Sequence, residues 1–126
     1  MSYLHFPIIL VVNNYKKNNT MKAAEMIKSF EKRVDTESMD ENEKSIFHFI
    51  LSGENGGDFT VELKHKKIKV SEGLKGKPDC EVKAKASDYE ALENGDLSPQ
   101  WAFVTGKVKV SNVSELLKFK SYFKQI

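Results

Sequence analysis

Side chains able to do polar chemistry are few and scattered in this chain of 126 residues. Its histidines are His5, His48 and His65, and no H-x-x-x-H pair sets two of them on one helix face. Cys80 is the one cysteine, so neither an internal disulfide nor a multi-cysteine zinc or iron–sulfur site can form. No metal and no other cofactor is expected. A G-x-S-x-G elbow, which would raise a serine as nucleophile, is missing from the sequence. Gly53-Glu54-Asn55-Gly56-Gly57 lacks the Lys-Ser/Thr of a phosphate loop and leads into a strand, so it reads as a hairpin turn. Thr105-Gly106-Lys107 also precedes a strand and is set aside for the same reason. His48 lies inside an apolar run and reads as a hydrogen-bonded core or edge residue. Cys80 falls on an inward strand face and reads as an inert buried thiol. No motif groups a nucleophile, a base and an acid, so the chain is not expected to be an enzyme.

What must position these residues is one compact unit. Forty per cent of the chain is hydrophobic and 30% charged, the composition of a globular domain rather than a disordered segment. Twenty Lys and Arg stand against 18 Asp and Glu, a formal charge of +2 that is too even to argue for nucleic-acid binding. The longest apolar stretch, Leu4 to Val12, is interrupted by His5 and Pro7. It falls well short of the roughly 20 residues a membrane span needs. It also lacks the basic flank and small-residue cleavage site of a secretory signal. With the single cysteine, this points to a reducing, cytoplasmic setting. Phe6 to Val12 is β-branched and apolar, as a strand is, and Asn13 to Asn19 is a polar linker. Residues 1–19 therefore read as an extension, either an added edge strand or a segment upstream of a domain spanning 20–126.

Thr20 reads as the N-cap of a helix over 21–34, with Ala23, Met26, Ile27, Phe30 and Val34 on one face. The acidic run Asp35 to Lys44 reads as a solvated face with a short helical turn anchored by Met39. Ile46 to Leu51 shows no alternation and is expected to be a strand buried on both sides. Clean alternation follows. Phe59, Val61 and Leu63, then Ile68 and Val70, then Cys80, Val82, Ala84 and Ala86 face inward. Ser87 and Glu90 have the spacing of a capping box for a short helix ending near Gly95. Ser98-Pro99 opens another helix carrying Trp101, Phe103 and Val104, and Lys107 to Val110 forms a further strand. Asn112 caps a last helix with Val113, Leu116, Leu117, Phe119, Phe123 and Ile126 as its apolar residues. The outward positions Glu62, Lys64, Lys67, Lys69, Glu81, Lys83, Lys85, Lys107 and Lys109 hold seven lysines against two glutamates. Such lysines keep a sheet face soluble and unpaired; they also offer a transient contact to an anionic membrane surface. No aromatic is interleaved among them, which argues against nucleic acid as a partner.

From Gly56 onward the chain resembles the sterol carrier protein type 2 family. The resemblance is carried by Gly-Gly-Asp-Phe-Thr-Val at 56–61, Pro78-Asp79-Cys80, Ser87-Asp88-Tyr89-Glu90-Ala91-Leu92, Asn94 to Gln100, and Ala102 to Val110, in that order and spacing. A glycine usual in the family just before the last helix is replaced here by Ser111-Asn112, and residues 1–19 have no counterpart in the minimal family domain. The resemblance implies an α+β fold: a five-stranded, mainly antiparallel sheet with helices packed on one face, to which residues 1–19 could add a strand. It implies an apolar tunnel between sheet and helices that binds, and in some members transfers, fatty acid, acyl-CoA, sterol-like lipid or phospholipid without catalysis. On that footing the lipid-binding residues are Phe59, Ile68, Val82, Ala84, Leu97, Gln100, Trp101, Phe103, Val104, Leu116 and Phe119, with Gln100 meeting the ligand head. Burying about 14 methylenes of an acyl chain gives roughly 11 kcal/mol gross, so the tail would dominate and the head group would be weakly specified. The alternative is an interaction module whose cavity is filled by side chains and whose amino-terminal strand serves a homodimer.

Overall fold

The computed structural model describes residues 21–124. Thr20, Ile126 and the strand expected at 6–12 lie outside the described residues. The chain opens with α1 (Ala23–Lys28) and α2 (Phe30–Arg33), followed by a 3-10 turn (Thr36–Ser38). Four strands come next: β1 (Lys44–Ser52), β2 (Gly57–Lys64), β3 (Lys67–Glu72) and β4 (Cys80–Lys85). Then follow α3 (Ala86–Glu93), α4 (Pro99–Val104), β5 (Val108–Val110) and α5 (Val113–Ser121). The expected single helix over 21–34 is broken at Ser29. That side chain donates to the Met26 carbonyl at 2.7 Å and accepts from Arg33 Nε at 2.9 Å, the local competition with helix bonding that serine offers.

The sheet has the order β3-β2-β1-β4-β5, antiparallel except for the parallel β1–β4 pair. Alternation sets its two faces. Phe47, Phe49 and Leu51 of β1 align with Val61, Phe59 and Gly57 of β2 on one side and with Cys80, Val82 and Ala84 of β4 on the other. This face meets the helices. Phe30 lies edge-on to Phe49, Phe119 and Phe123 with centroids 5.4, 5.4 and 5.2 Å away, and Phe119 stands 4.9 Å from Phe47. Each buried ring contributes about 1.5–3 kcal/mol of transfer energy, and the edge-on geometry adds to it.

The outer face is less open than alternation alone suggests. Because β3 and β4 are separated by β2 and β1, the chain between them crosses back over both strands. Thr60 Oγ1 donates to the Gly73 carbonyl (2.7 Å) and accepts from Lys75 N–H (2.8 Å). His48 Nε2 meets the Lys75 carbonyl at 2.9 Å, and Asp79 exchanges two hydrogen bonds with the backbone of Ile46. This crossover buries His48 and Thr60 and explains why β1 is covered on both sides.

Two caps differ from the sequence reading. Helix α3 begins at Ala86, one residue before the serine expected to cap it, and Lys85 in the cap position makes no side-chain cap. Glu90 accepts the backbone N–H of Ala23 at 2.8 Å, so it caps α1 instead. The next free donor of α1, Ala24 N–H, goes to the Asn55 carbonyl in the β1–β2 turn at 3.0 Å. Gly56 closes that turn so tightly that a Cβ would press into the Leu51 carbonyl and touch Ala86.

Candidate functional site

The short helix α4 is built to hold a few large side chains away from the body. Ser98 Oγ accepts from Trp101 N–H at 3.1 Å, Pro99 fills the first position, and Gly106 ends the helix region at φ 75°. Only Ala102 of this helix is buried. Its other apolar groups stand in the open: Trp101 is 57% exposed, Phe103 43% and Val104 79%. Helix α4 touches β5, where Val108 is buried.

Helix α5 packs against β4, the strand next to β5. Asn112 Oδ1 caps it by accepting from Glu115 N–H at 3.2 Å. Phe119 points into the ring cluster, Leu116 is half-buried, and Leu117 remains 58% exposed beside exposed Val113. The helix is fastened by a buried carboxylate, Glu43, from the acidic run expected to be solvated. Glu43 accepts from Ser45 Oγ (2.6 Å) and Tyr122 Oη (2.8 Å) and pairs with Lys118 Nζ (3.3 Å), which also reaches Glu115 at 3.2 Å. Burial pushes the Glu43 carboxyl up, but the hydrogen bonds from Ser45, Tyr122 and Lys118 outweigh it, and the net pKa falls below the ordinary value. No local pattern in the sequence could have revealed this, because Tyr122 is 79 residues away.

The eleven residues singled out from the sequence divide into two groups. Val82 and Phe119 are buried; Ala84, Leu97 and Leu116 are half-buried; and Gln100, Trp101, Phe103 and Val104 are exposed, all on β4, α4, α5 or the turn before α4. Phe59 and Ile68 lie across β1, on the β2–β3 wing beneath α1 and α2. There Phe59 borders a separate cleft of about 220 Å³ with Lys28, Glu31, Val70, Ser71 and Glu72. Val113 and Leu117 are further exposed apolar residues, and their i, i+4 spacing at the start of α5 is the signal for them in the sequence.

The reactive groups are elsewhere and enclosed. Burial raises the Cys80 thiol pKa, against partial opposition from hydrogen bonding by Asn112 and Ser111. Among the described residues, no group of three or more His, Cys, Asp or Glu converges to hold a metal ion, and no helix is long and apolar enough to cross a membrane.

Comparison with known proteins places this arrangement. Residues 13–124 match the profile of the SCP-2 sterol transfer family. The chain is 29% identical over 96 residues to hydroxysteroid dehydrogenase-like protein 2 of Xenopus laevis, covering 75% of this chain and 23% of that protein. It is 32% identical over 106 residues to sterol carrier protein 2 of Rattus norvegicus, covering 79% of this chain and 19% of the other. These curated relatives are thus several times longer than the stretch they share with it. The solution structure of palmitated SCP2L2 from Aedes aegypti superposes with a TM-score of 0.60 at 22% identity, covering 84% of this chain and 99% of that one.

Proposed function

We propose a non-catalytic, lipid-binding role for this chain, which belongs to the SCP-2 sterol transfer family. Residues 20–126 are the binding domain and 1–19 an extension of it. The ligand is a fatty acid or another lipid with a long apolar tail, held by burial of that tail. The observation that carries this reading is the set of large apolar side chains left in solvent on α4 and α5, namely Trp101, Phe103, Val104 and Leu117, while Ala84, Leu97 and Leu116 are half-buried. A globular domain seldom leaves so many large apolar groups uncovered on two short helices without a ligand or partner for them. The tail lies against Val82, Ala84, Leu97, Leu116 and Phe119, with Trp101, Phe103 and Val104 at the rim and Gln100 available to a polar head. The palmitated Aedes aegypti relative supports a fatty acyl ligand. The enzymatic names of longer relatives bring no reaction here, since the shared stretch is 23% of the Xenopus laevis protein.

Native mass spectrometry of the purified chain, followed by displacement of a fluorescent fatty acid, tests the proposal. A co-purified lipid mass, or displacement at micromolar protein, is expected. A bare mass together with no probe binding at that concentration rejects it.

A second reading is favoured by the ring cluster. Phe30, Phe47, Phe49, Phe119 and Phe123 fill the space between β1 and the helices, as they would in an interaction module without a lipid cavity. In that case the same surface serves another copy of the chain, and solution mass would report a dimer.

A further inference from the structure

We propose that the α4 tip is a docking surface for an anionic phospholipid bilayer, with Trp101 and Val104 entering the interface and Lys107 and Lys109 meeting the headgroups. The side chains of α4 divide sharply. Ala102 holds the helix to the body, while Trp101 and Val104, three residues apart, project from it with 57% and 79% of their surface exposed. An exposed tryptophan on a short helix suits the bilayer interface, where its apolar ring is buried and its indole N–H stays wet.

The segment that forms the tip carries charges of one sign. From Leu97 to Ser111 the chain has no acidic residue, although it holds 18 Asp and Glu in all. Lys107 and Lys109 follow the helix directly. Lys109 runs back toward it, its Cε 3.9 Å from where a Cβ on Gly106 would sit. Register places Lys83 directly across from Lys109 on the outer sheet face, and Lys85 follows one position beyond Ala84. Like charges facing each other across strands cost stability, and an opposing anionic surface relieves that cost. Lys107 and Lys83 have only loose partners, Asp88 Oδ1 at 3.9 Å and Glu81 Oε1 at 3.8 Å. The apolar tip and the net positive charge of Lys107, Lys109 and their neighbours therefore complement a surface that is apolar inside and negative at its boundary. Each lysine near such a surface contributes roughly a fivefold gain in partitioning.

Docking is distinct from tail capture: a chain that bound no fatty acid could still partition, and the two are read by different assays. Trp101 is the sole tryptophan, so its emission reports on the proposed contact without labelling. The full chain is mixed with vesicles of phosphatidylcholine alone or with phosphatidylserine added, and both sedimentation and emission are followed. We expect co-sedimentation with the phosphatidylserine vesicles, a blue shift of Trp101, quenching by bromine-labelled acyl chains, and release at ~0.5 M salt. Val104→Asp is expected to reduce partitioning at least tenfold. Lys107→Glu with Lys109→Glu is expected to reduce it by about thirtyfold or more. All these positions are exposed, and unchanged circular dichroism of the variants confirms that they fold. Sedimentation with unchanged Trp101 emission would mean that another face binds. Equal binding to both vesicle types would remove the lysines from the contact. An emission already blue-shifted without vesicles and unaltered by them would mean the tip is covered by this chain or a second copy. Each of these three results, like an absence of sedimentation, overturns the proposal.

Discussion

Arg33 grips Glu93 with both arms of its guanidinium, Nη1 lying 3.0 Å from Oε1 and Nη2 3.1 Å from Oε2. The pair ties α2 to α3. Glu93 is buried and also accepts the hydroxyl of Tyr89. Arg33 donates further to Ser29 Oγ and the Met26 carbonyl, and lies over the rings of Phe30 and Phe123 at 5.2 and 5.3 Å. Burial, and then the charge of Glu93, push the Tyr89 hydroxyl pKa well above its usual value, so this tyrosine stays a donor throughout the stable range.

A planar fork stacked between rings cannot be replaced by a point charge. Arg33→Lys is expected to lower unfolding free energy by about 2 kcal/mol, and Arg33→Met by about 3, because the second leaves a buried carboxylate unpaired. Converting both residues to methionine should recover most of that loss. Urea denaturation measures all three, and an Arg33→Lys protein as stable as the parent would refute the account.

That pair also marks the limit of what the sequence discloses. The strands were legible because their cause is local: Phe59, Val61 and Leu63 alternate with polar neighbours, and two-residue connections such as His65-Lys66 force a hairpin. Met39 anchored its turn as expected and is buried. The α+β layout with a five-stranded sheet followed from the same local rules together with a family likeness. What stayed hidden depends on distant partners. Arg33 and Glu93 are 60 residues apart, and Glu90 reaches 67 residues back to cap α1. The crossover that covers His48 follows from strand order, which alternation leaves undetermined. The rim residues of α4 were recognised as large and apolar, but whether such a side chain turns inward or outward on a six-residue helix depends on what faces it.

Glu43 makes the stability of α5 depend on acid. Its pKa is depressed in the folded state, so the unfolded chain binds the proton more readily. The stabilisation is therefore complete above the ordinary glutamate pKa, near 4.5, and is lost as pH falls through the lower folded value. Glu43→Gln should cost about 1–2 kcal/mol at neutral pH, since one oxygen remains to accept while the pairing with Lys118 is lost. Once the pH has fallen below that lowered value, the two proteins should converge. Urea titrations across that range check this, and parallel curves with a constant offset would show that the Glu43 charge plays no part.

The β2–β3 turn carries a cost that can be removed. His65 and Lys66 both sit in the left-handed region, at φ 55° and 57°, which is the conformation of a two-residue type I′ turn. Side chains with a Cβ are disfavoured there by roughly 1 kcal/mol or more, whereas Asn-Gly adopts it readily. His65→Asn with Lys66→Gly should raise stability by about 1 kcal/mol, shifting the urea midpoint upward at constant slope. A midpoint that fell would mean that His65 or Lys66 makes a contact worth more than the strain.

Ala84 tests where a lipid tail lies. It is a small, half-buried residue on the inward face of β4, between Leu51 and Val108 in register, on the side of the sheet that α4 and α5 flank. A larger group there occupies space that the proposed tail would use. Each displaced methylene forfeits about 0.8 kcal/mol of burial, so excluding two lowers affinity by more than tenfold. Ala84→Phe is thus expected to weaken displacement of a fluorescent fatty acid by at least that factor. Phe59→Leu, on the opposite wing, should leave it within about twofold, the change a site outside the contact produces. Thermal melts of both proteins separate a binding loss from a folding loss. If Ala84→Phe folds and binds like the parent while Phe59→Leu abolishes binding, the tail belongs to the β2–β3 cleft and the assignment to the β4–β5 side is wrong.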